Sequence, residues 1–318
     1  MLSRVAESLY WMSRYVERAE NVARLLDVGF YLELDAAGLA ADDDGHGPVE
    51  GALTILACRE SYEAAHGAIS RDSVLRYLTF DRKNSQSIRS MIAMARENAR
   101  ATQEVLSAEA WSQLNRLYLY LTGAKAQRRF GLSPFRFYDS ITRACLLWDG
   151  LVDSTLPRNE VFHFLQLGRY LERLDQISRI VAARCHTLCE TEPGAVPSLR
   201  MVHWTSLLRS CSAYDAYLRT YRDRIDPESL VRFLLLDADF PRALQFCVAR
   251  CRESLHEVSG GGAGYGSEAE RLLGRLEGEL RYIDVDEIFA RGLPSVLTAV
   301  QEASTRVGEE IHRAYFAT

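Results

Sequence analysis

This sequence predicts an all-α fold: an internally duplicated multi-helix bundle with pseudo-twofold symmetry and about five helices per repeat. Three observations carry that expectation. Apolar residues recur at spacings of three and four along most of the chain, and no run alternates with the period of two that a half-buried strand needs. Leu, Ala, Arg and Glu dominate, and 8 prolines in 318 residues leave long stretches free of helix breakers. The run Ser13-Arg14-Tyr15-Val16-Glu17-Arg18-Ala19-Glu20-Asn21-Val22-Ala23-Arg24 is also written a second time, as Gly168-Arg169-Tyr170-Leu171-Glu172-Arg173-Leu174-Asp175-Gln176-Ile177-Ser178-Arg179. Arg14, Tyr15, Glu17, Arg18, Val22 and Arg24 recur in kind at a constant offset of 155 residues.

Taken in order, residues 2 to 35 predict the first helix, with Leu2, Val5, Leu9, Met12, Val16, Ala19, Ala23 and Leu26 drawing one apolar stripe and Arg14, Glu17, Arg18, Asn21 and Arg24 on the opposite arc. Ala40 to Pro48, with Asp42-Asp43-Asp44-Gly45, reads as an acidic surface loop. Further helices are expected over 50–67, 70–78, 86–107, 108–122 and 133–152, the last with Pro134 in its first turn. The second half repeats the plan. A helix over 160–190 carries the second Arg-Tyr-x-Glu-Arg, the turn Glu192-Pro193-Gly194 follows, and another helix covers 198–222. Ser229 to Asp237 then matches Ser73 to Asp81 at an offset of 156, a register that runs on through Arg252-Glu253 against Arg96-Glu97. Gly260 to Gly266 is a flexible loop rather than a phosphate cradle, because no strand pattern precedes it. Helices over 267–282 and 286–315 complete the copy. The repeats are residues 1–155 and 156–318, expected to form one compact body because Leu156-Pro157-Arg158 is too short for a free hinge.

Composition narrows the function. A net charge of −5 gives no global attraction for nucleic acid or anionic lipid, although Arg128, Arg129 and Arg136 form a local basic patch. Lys83 and Lys125 are the two lysines, every other cation being arginine, a bias that genome composition alone can produce. The 7 cysteines lack the dense spacing of a secreted disulfide scaffold; Cys58, Cys145 and Cys211 sit inside amphipathic patterns as small hydrophobes. Ser3, Arg4 and Glu7 interrupt any signal-like run, and no stretch reaches the roughly 20 apolar residues of a membrane span, so the cytoplasm is the expected compartment and no membrane is a partner.

On a helix, Arg14 stands one turn from Arg18, flanked by Glu17 and Asn21, and Tyr15 is adjacent; Arg169, Tyr170, Glu172, Arg173 and Gln176 repeat the set. Three readings stay open: an exposed face of weak ion pairs, a buried Arg–Glu network locking helices in register, or an anion or carboxylate pocket made of paired guanidinium forks. Asp81 and Asn84, with Asp237 in the matching place, lie at a helix break, where they either cap backbone N–H groups or reach Arg14 and Arg169 across the core.

The run Arg14-Tyr15-Val16-Glu17-Arg18-Ala19-Glu20 resembles the signature of the bacterial alpha-E family, an all-helical group named for its Glu-Arg motif. Gly168 to Arg173, Leu208-Arg209-Ser210 with Ala213-Tyr214, Phe233 to Asp237, Arg96 to Arg100, and Trp111 with Asn115 also resemble it, so the likeness covers nearly the whole chain. Ser85 stands where that pattern has proline, and Leu156 where it has methionine. The resemblance implies a setting beside a circularly permuted ATP-grasp protein and a transglutaminase-like cysteine protease, sometimes with a proteasome-related peptidase. It therefore implies a part in forming or modifying peptide-like amide bonds. The expected role is a non-catalytic binding or scaffolding subunit of an ATP-grasp ligase, with no cofactor of its own and no nucleic-acid partner; a homo-oligomer is compatible with it.

The competing class is a metal enzyme. Glu63/His66, Glu160/His163, Glu253/His256 and Glu309/His312 each have the Glu-x-x-His spacing of di-metal carboxylate bundles. These pairs do not superpose under the repeat, since Glu253/His256 falls over Glu97/Arg100. Cys185/Cys189 and Cys247/Cys251 stand one turn apart and would need their helices to meet to hold zinc. No Gly-x-Ser-x-Gly elbow, Walker loop or dinucleotide fingerprint occurs.

Overall fold

Most of the stripe predicted near the N-terminus is inside: Leu9, Met12, Val16, Ala19, Ala23 and Leu26 are all buried, whereas Val5 is half-buried and Leu2, ahead of the helix, is 72% exposed. They lie on helix α1 (Ser3–Ala36) of a computed structural model that describes residues 1–36, 48–185, 188, 197–222, 224–262 and 264–317. The acidic loop at Asp42 to Gly45, the Glu192-Pro193-Gly194 turn and Cys189 fall outside the described residues. Among the described residues every regular element is helical and none is a strand.

After α1 come α2 (Pro48–Ile55), α3 (Arg59–His66), α4 (Arg71–Phe80), α5 (Ile88–Ala101), α6 (Ala108–Thr122), α7 (Ala124–Leu132) and α8 (Pro134–Thr155). The rest of the chain forms α9 (Glu160–Ala182), α10 (Pro197–Ser210), α11 (Tyr214–Tyr221) and α12 (Pro227–Val231), which continues as a π-turn over Arg232–Leu236. Then follow α13 (Leu244–Val258), α14 (Glu268–Tyr282), α15 (Val285–Arg291) and α16 (Leu293–Ile311), which ends in a π-turn over His312–Phe316.

Sixteen helices among the described residues correct the expected five or so per repeat, and the causes are local. The helix predicted over 50–67 breaks where Ala57 turns left-handed, at φ 50°, and the one over 198–222 breaks at Ser212, at φ 53°. Both breaks are built alike: Cys58 N bonds Leu53 O at 2.9 Å, and Ala213 N bonds Leu208 O at 2.7 Å. Residues 124–132, outside the predicted helices, form α7 because Gly123 and Ser133 are both extended and so isolate it; Ser133 then caps α8 through Arg136 N. Gly292, at φ 87°, divides the helix predicted over 286–315. The helix predicted over 86–107 stops at Ala101, and a short 3-10 turn over Gln103–Val105 follows.

The chain divides into two compact units, residues 1–169 and 170–318, with the division falling inside α9. In the first, α1 packs mainly on α5 and α8, α6 bridges α5 and α8, and α4 rests on α5. Gly168 abuts the backbone of α1 so closely that a Cβ there would overlap the Tyr10 carbonyl, with Ser13 Cβ also in reach. In the second, α13 packs on α14, and α14 on α16. Both units put a bulky aromatic set beside the helix break: Tyr62 meets Tyr77 edge-on at 5.2 Å, and Tyr217 meets Phe233 edge-on at 5.5 Å.

Candidate functional site

The recurring charged set is buried, so the exposed-face reading fails. Glu17 is 2% exposed and Glu172 0%, where a bare carboxylate would cost several kcal/mol (, roughly). Each is bonded one turn along its helix: Asn21 Nδ2 donates to Glu17 Oε1 at 3.3 Å, and Gln176 Nε2 to Glu172 Oε1 at 3.1 Å. The arc opposite the apolar stripe of α1 is therefore packed as well, and Glu20 pairs there with Arg24.

The arginines are engaged differently in the two copies. Arg14 Nη1 donates to the Tyr10 hydroxyl at 3.0 Å, and its guanidinium lies 5.0 Å from the Trp11 ring, on which Tyr15 stacks at 5.6 Å. Arg18 is half-buried on the same helix. Arg169 is 4% exposed and spreads its fork over Asp149 Oδ1 at 2.9 Å and Asp153 Oδ2 at 3.3 Å, tying α9 to α8. Arg173 lies over the Tyr170 ring at 5.3 Å and donates to the Pro241 carbonyl at 3.2 Å, while Tyr170 itself meets Phe246. Carboxylate, carbonyl and ring contacts of this kind hold helices and turns in register.

Asp81 and Asp237 accept from backbone N–H groups at their helix breaks. Each folds its own turn: Asp81 Oδ1 accepts from Lys83 N at 2.8 Å, and Asp237 Oδ1 from Asp239 N at 2.9 Å and Phe240 N at 2.7 Å. Asn84 is buried, donating to the Tyr77 carbonyl at 3.2 Å and accepting from Gln86 N at 2.9 Å. Ser87 completes the turn, its hydroxyl donating to the Asp81 carbonyl at 2.6 Å while it caps α5 by accepting from Ser90 N.

This turn walls a cleft of about 400 Å³ lined by Ser61, Ala65, His66, Tyr77, Asp81, Lys83 and Asn84. His66 Nε2 faces Asp81 Oδ2 at 3.4 Å, its ring lies 5.3 Å from Tyr77, and the Tyr77 hydroxyl points to Ser61 Oγ at 3.5 Å. An imidazole held beside a carboxylate, with two hydroxyls and an ammonium nearby, can exchange protons with a ligand or hold a polar one. In the second unit the corresponding turn has Tyr221 in place of His66 and Phe240 in place of Asn84, and Phe240 stacks on Phe233 at 4.5 Å. Of the candidate binding residues read from the sequence, Asp81 and Asn84 line this cleft. Sequence reasoning missed Ser61, Tyr77 and Lys83 and weighed His66 only as a partner of Glu63; the available signal was the places where the two copies differ in polarity.

Three of the four Glu-x-x-His pairs have a member engaged elsewhere, Glu160 with the Met1 amino group at 3.1 Å. Glu63 pairs with Arg59 at 3.0 Å, and His256 Nδ1 bonds Glu270, whose other oxygen accepts from Gly266 N. Among the described residues no three His, Cys, Asp or Glu side chains stand together as metal ligands. Cys247 and Cys251 are buried on α13; burial pushes the Cys58 thiol up to about 11 and also holds the Cys145 thiol well above its ordinary value.

An all-helical chain with Glu-Arg pairs sealed into its first and ninth helices is thus defined, and no described helix is long and apolar enough to cross a membrane. The chain belongs to the Alpha-E family, described as a predicted alpha-helical domain with a conserved ER motif, whose model matches residues 1–316. It is similar to an uncharacterized protein of Mycobacterium bovis, 23% identical over 310 residues, and to uncharacterized proteins of two Mycobacterium tuberculosis strains, 23% and 22% identical. These matches take in 92% of this chain but 34% of each relative, so the chain spans about a third of their length. No solved structure matches it.

Proposed function

We propose that this chain is a non-catalytic binding or scaffolding subunit that works with an ATP-grasp ligase-type protein in forming or modifying peptide-like amide bonds. A transglutaminase-like protein is a further partner in this reading. The observation that carries it is the sealing of the repeated motif. With Glu172 fully buried and bonded to Gln176, and Arg169 spread over Asp149 and Asp153, the carboxylate and guanidinium at the motif's centre are taken up by bonds within the fold, while Arg14, Tyr15, Arg18 and Tyr170 are half-buried. Arg14, Tyr15, Glu17, Arg18, Arg169, Tyr170, Glu172, Arg173 and Asp237 then form the framework, and Asp81 and Asn84 shape the cleft a ligand or partner enters. The length of the relatives supports it too, since there the same region is joined to a polypeptide about twice its size.

The reading includes duplication of one helical unit, with pseudo-twofold symmetry. Its support is the recurrence of the left-handed breaks at Ala57 and Ser212, and of the Glu–amide bonds at Glu17 and Glu172, all 155 residues apart.

The test is capture of a circularly permuted ATP-grasp protein of the kind encoded beside family members. The wild-type chain is expected to retain it, and His66→Ala with Lys83→Ala to weaken retention at least tenfold while the helix content is unchanged. A wild-type chain that captures no ATP-grasp protein removes the partner, and a cleft variant that binds as well as wild type removes the cleft. A second reading, catalysis by the chain itself, is favoured by the His66–Asp81 arrangement alone and requires turnover of amine and carboxylate substrates without a second protein.

A further inference from the structure

On the far side of the same turn lies a second cleft, of about 340 Å³, lined by Arg82, Lys83, Ser85, Arg89, Ser90, Ala93, Met94, Tyr118 and Thr122. We propose that it binds a phosphate-bearing small molecule. This goes beyond the partner reading and does not depend on it.

Arg82, Lys83 and Arg89 fall within eight positions and face one cleft, yet among the described residues no carboxylate pairs with any of them. The neighbouring acids are occupied elsewhere. Asp81 turns to His66 and the Lys83 amide on the other side, and Glu97 is held by Arg96 and Arg100, which keep its carboxyl below the usual range. Three unneutralised cations round one hollow repel one another in a chain whose net charge is −5. An anion placed between them relieves that repulsion.

The chemistry of the lining narrows the ligand. Two guanidinium forks and an ammonium suit a dianion with several acceptor oxygens better than a single carboxylate, which one fork satisfies. The Ser85 and Tyr118 hydroxyls have no hydrogen-bond partner among the described residues, so both are available as donors; Ser90 and Thr122 are already committed to the Asp81 and Tyr118 carbonyls. Ala93, the exposed Met94 and the Tyr118 ring, which Arg96 backs at 5.2 Å, give the cleft an apolar flank for the organic part. Its volume exceeds that of a lone phosphate and falls at the lower end of small-molecule sites (, about 300–1,000 Å³).

The second unit supplies an internal control. Its turn likewise has an Asp accepting from the amide two residues on, and is followed by α13 as the first is by α5. The residues 156 further on from Arg82, Lys83, Ser85 and Arg89 are Ala238, Asp239, Pro241 and Gln245. Such a turn therefore folds without the cations. A general bias toward arginine does not account for Lys83 either, one of only two lysines in the chain.

Inorganic pyrophosphate and AMP serve as probes, titrated calorimetrically into the wild-type chain at low salt, with a six-residue poly-glutamate peptide as the carboxylate arm. Expected are saturable binding of at least one phosphate probe, affinity falling with added salt, and at least a tenfold loss in Arg82→Gln with Arg89→Gln. Arg143→Gln, which lies away from the cleft and pairs with Asp139, should bind as wild type. These are exposed or half-buried positions, so an unchanged melting temperature will show the variants folded. No binding of either phosphate probe, binding undiminished in the double variant, or tighter binding of poly-glutamate than of both probes would overturn the assignment.

Discussion

At Asp27 the fold holds a carboxyl that prefers to keep its proton. One oxygen is sealed from solvent with no hydrogen-bond partner among the described residues, and burial, then Asp139, pushes the group up to about 7 while Arg24 pulls the other way. The folded chain thus binds a proton that the unfolded chain releases near 3.8. A raised acid stabilises the fold fully below the unfolded value and loses that contribution as pH climbs through the folded one. Asp27→Asn should melt higher than wild type at pH 8, by roughly 1–2 kcal/mol after allowance for solvent screening, and match it near pH 4. Melting curves across that range check it; a variant less stable than wild type at pH 8 would contradict the assignment. The position 155 further on is Ala182, so the second copy lacks this titration.

At the scale of the element, the helix breaks carry the information. Ala57 and Ser212 are exposed and left-handed, a conformation that costs an L residue about 1–2 kcal/mol and glycine little. Ala57→Gly and Ser212→Gly should each raise the denaturation midpoint, by up to about 1 kcal/mol, whereas glycine at an exposed mid-helix site should lower it by about as much. Chemical denaturation of the single variants decides this, and a loss in both would contradict the local geometry. These positions also mark the limit of what could be read beforehand. The helices over 2–35, 108–122, 133–152 and 267–282, the repeated Glu-Arg run and the Asp turns at 81 and 237 are written in residue spacing, and they stand where expected. Ala57 and Ser212 are ordinary helix residues by type, so their breaks come from packing. His66 likewise met Asp81 only once α3 folded against the turn after α4, which local periodicity does not encode.

For the molecule as a whole, the two sets of charges do different work. The repeated arginines and glutamates are taken up inside helix packing, whereas the charges around the turn at 81–87 line two clefts and share Lys83 between them. In the proposed reading the chain contributes a held surface to chemistry performed by a partner, and relatives three times as long as the match are compatible with that proposal. The most direct measurement is ATP-dependent amide-bond formation by the ATP-grasp protein, assayed with and without this chain. The account predicts that the rate rises at least tenfold when the chain is added and that the chain alone turns nothing over. An ATP-grasp protein equally active without it, or amide formation by this chain in the absence of any ligase, would contradict it.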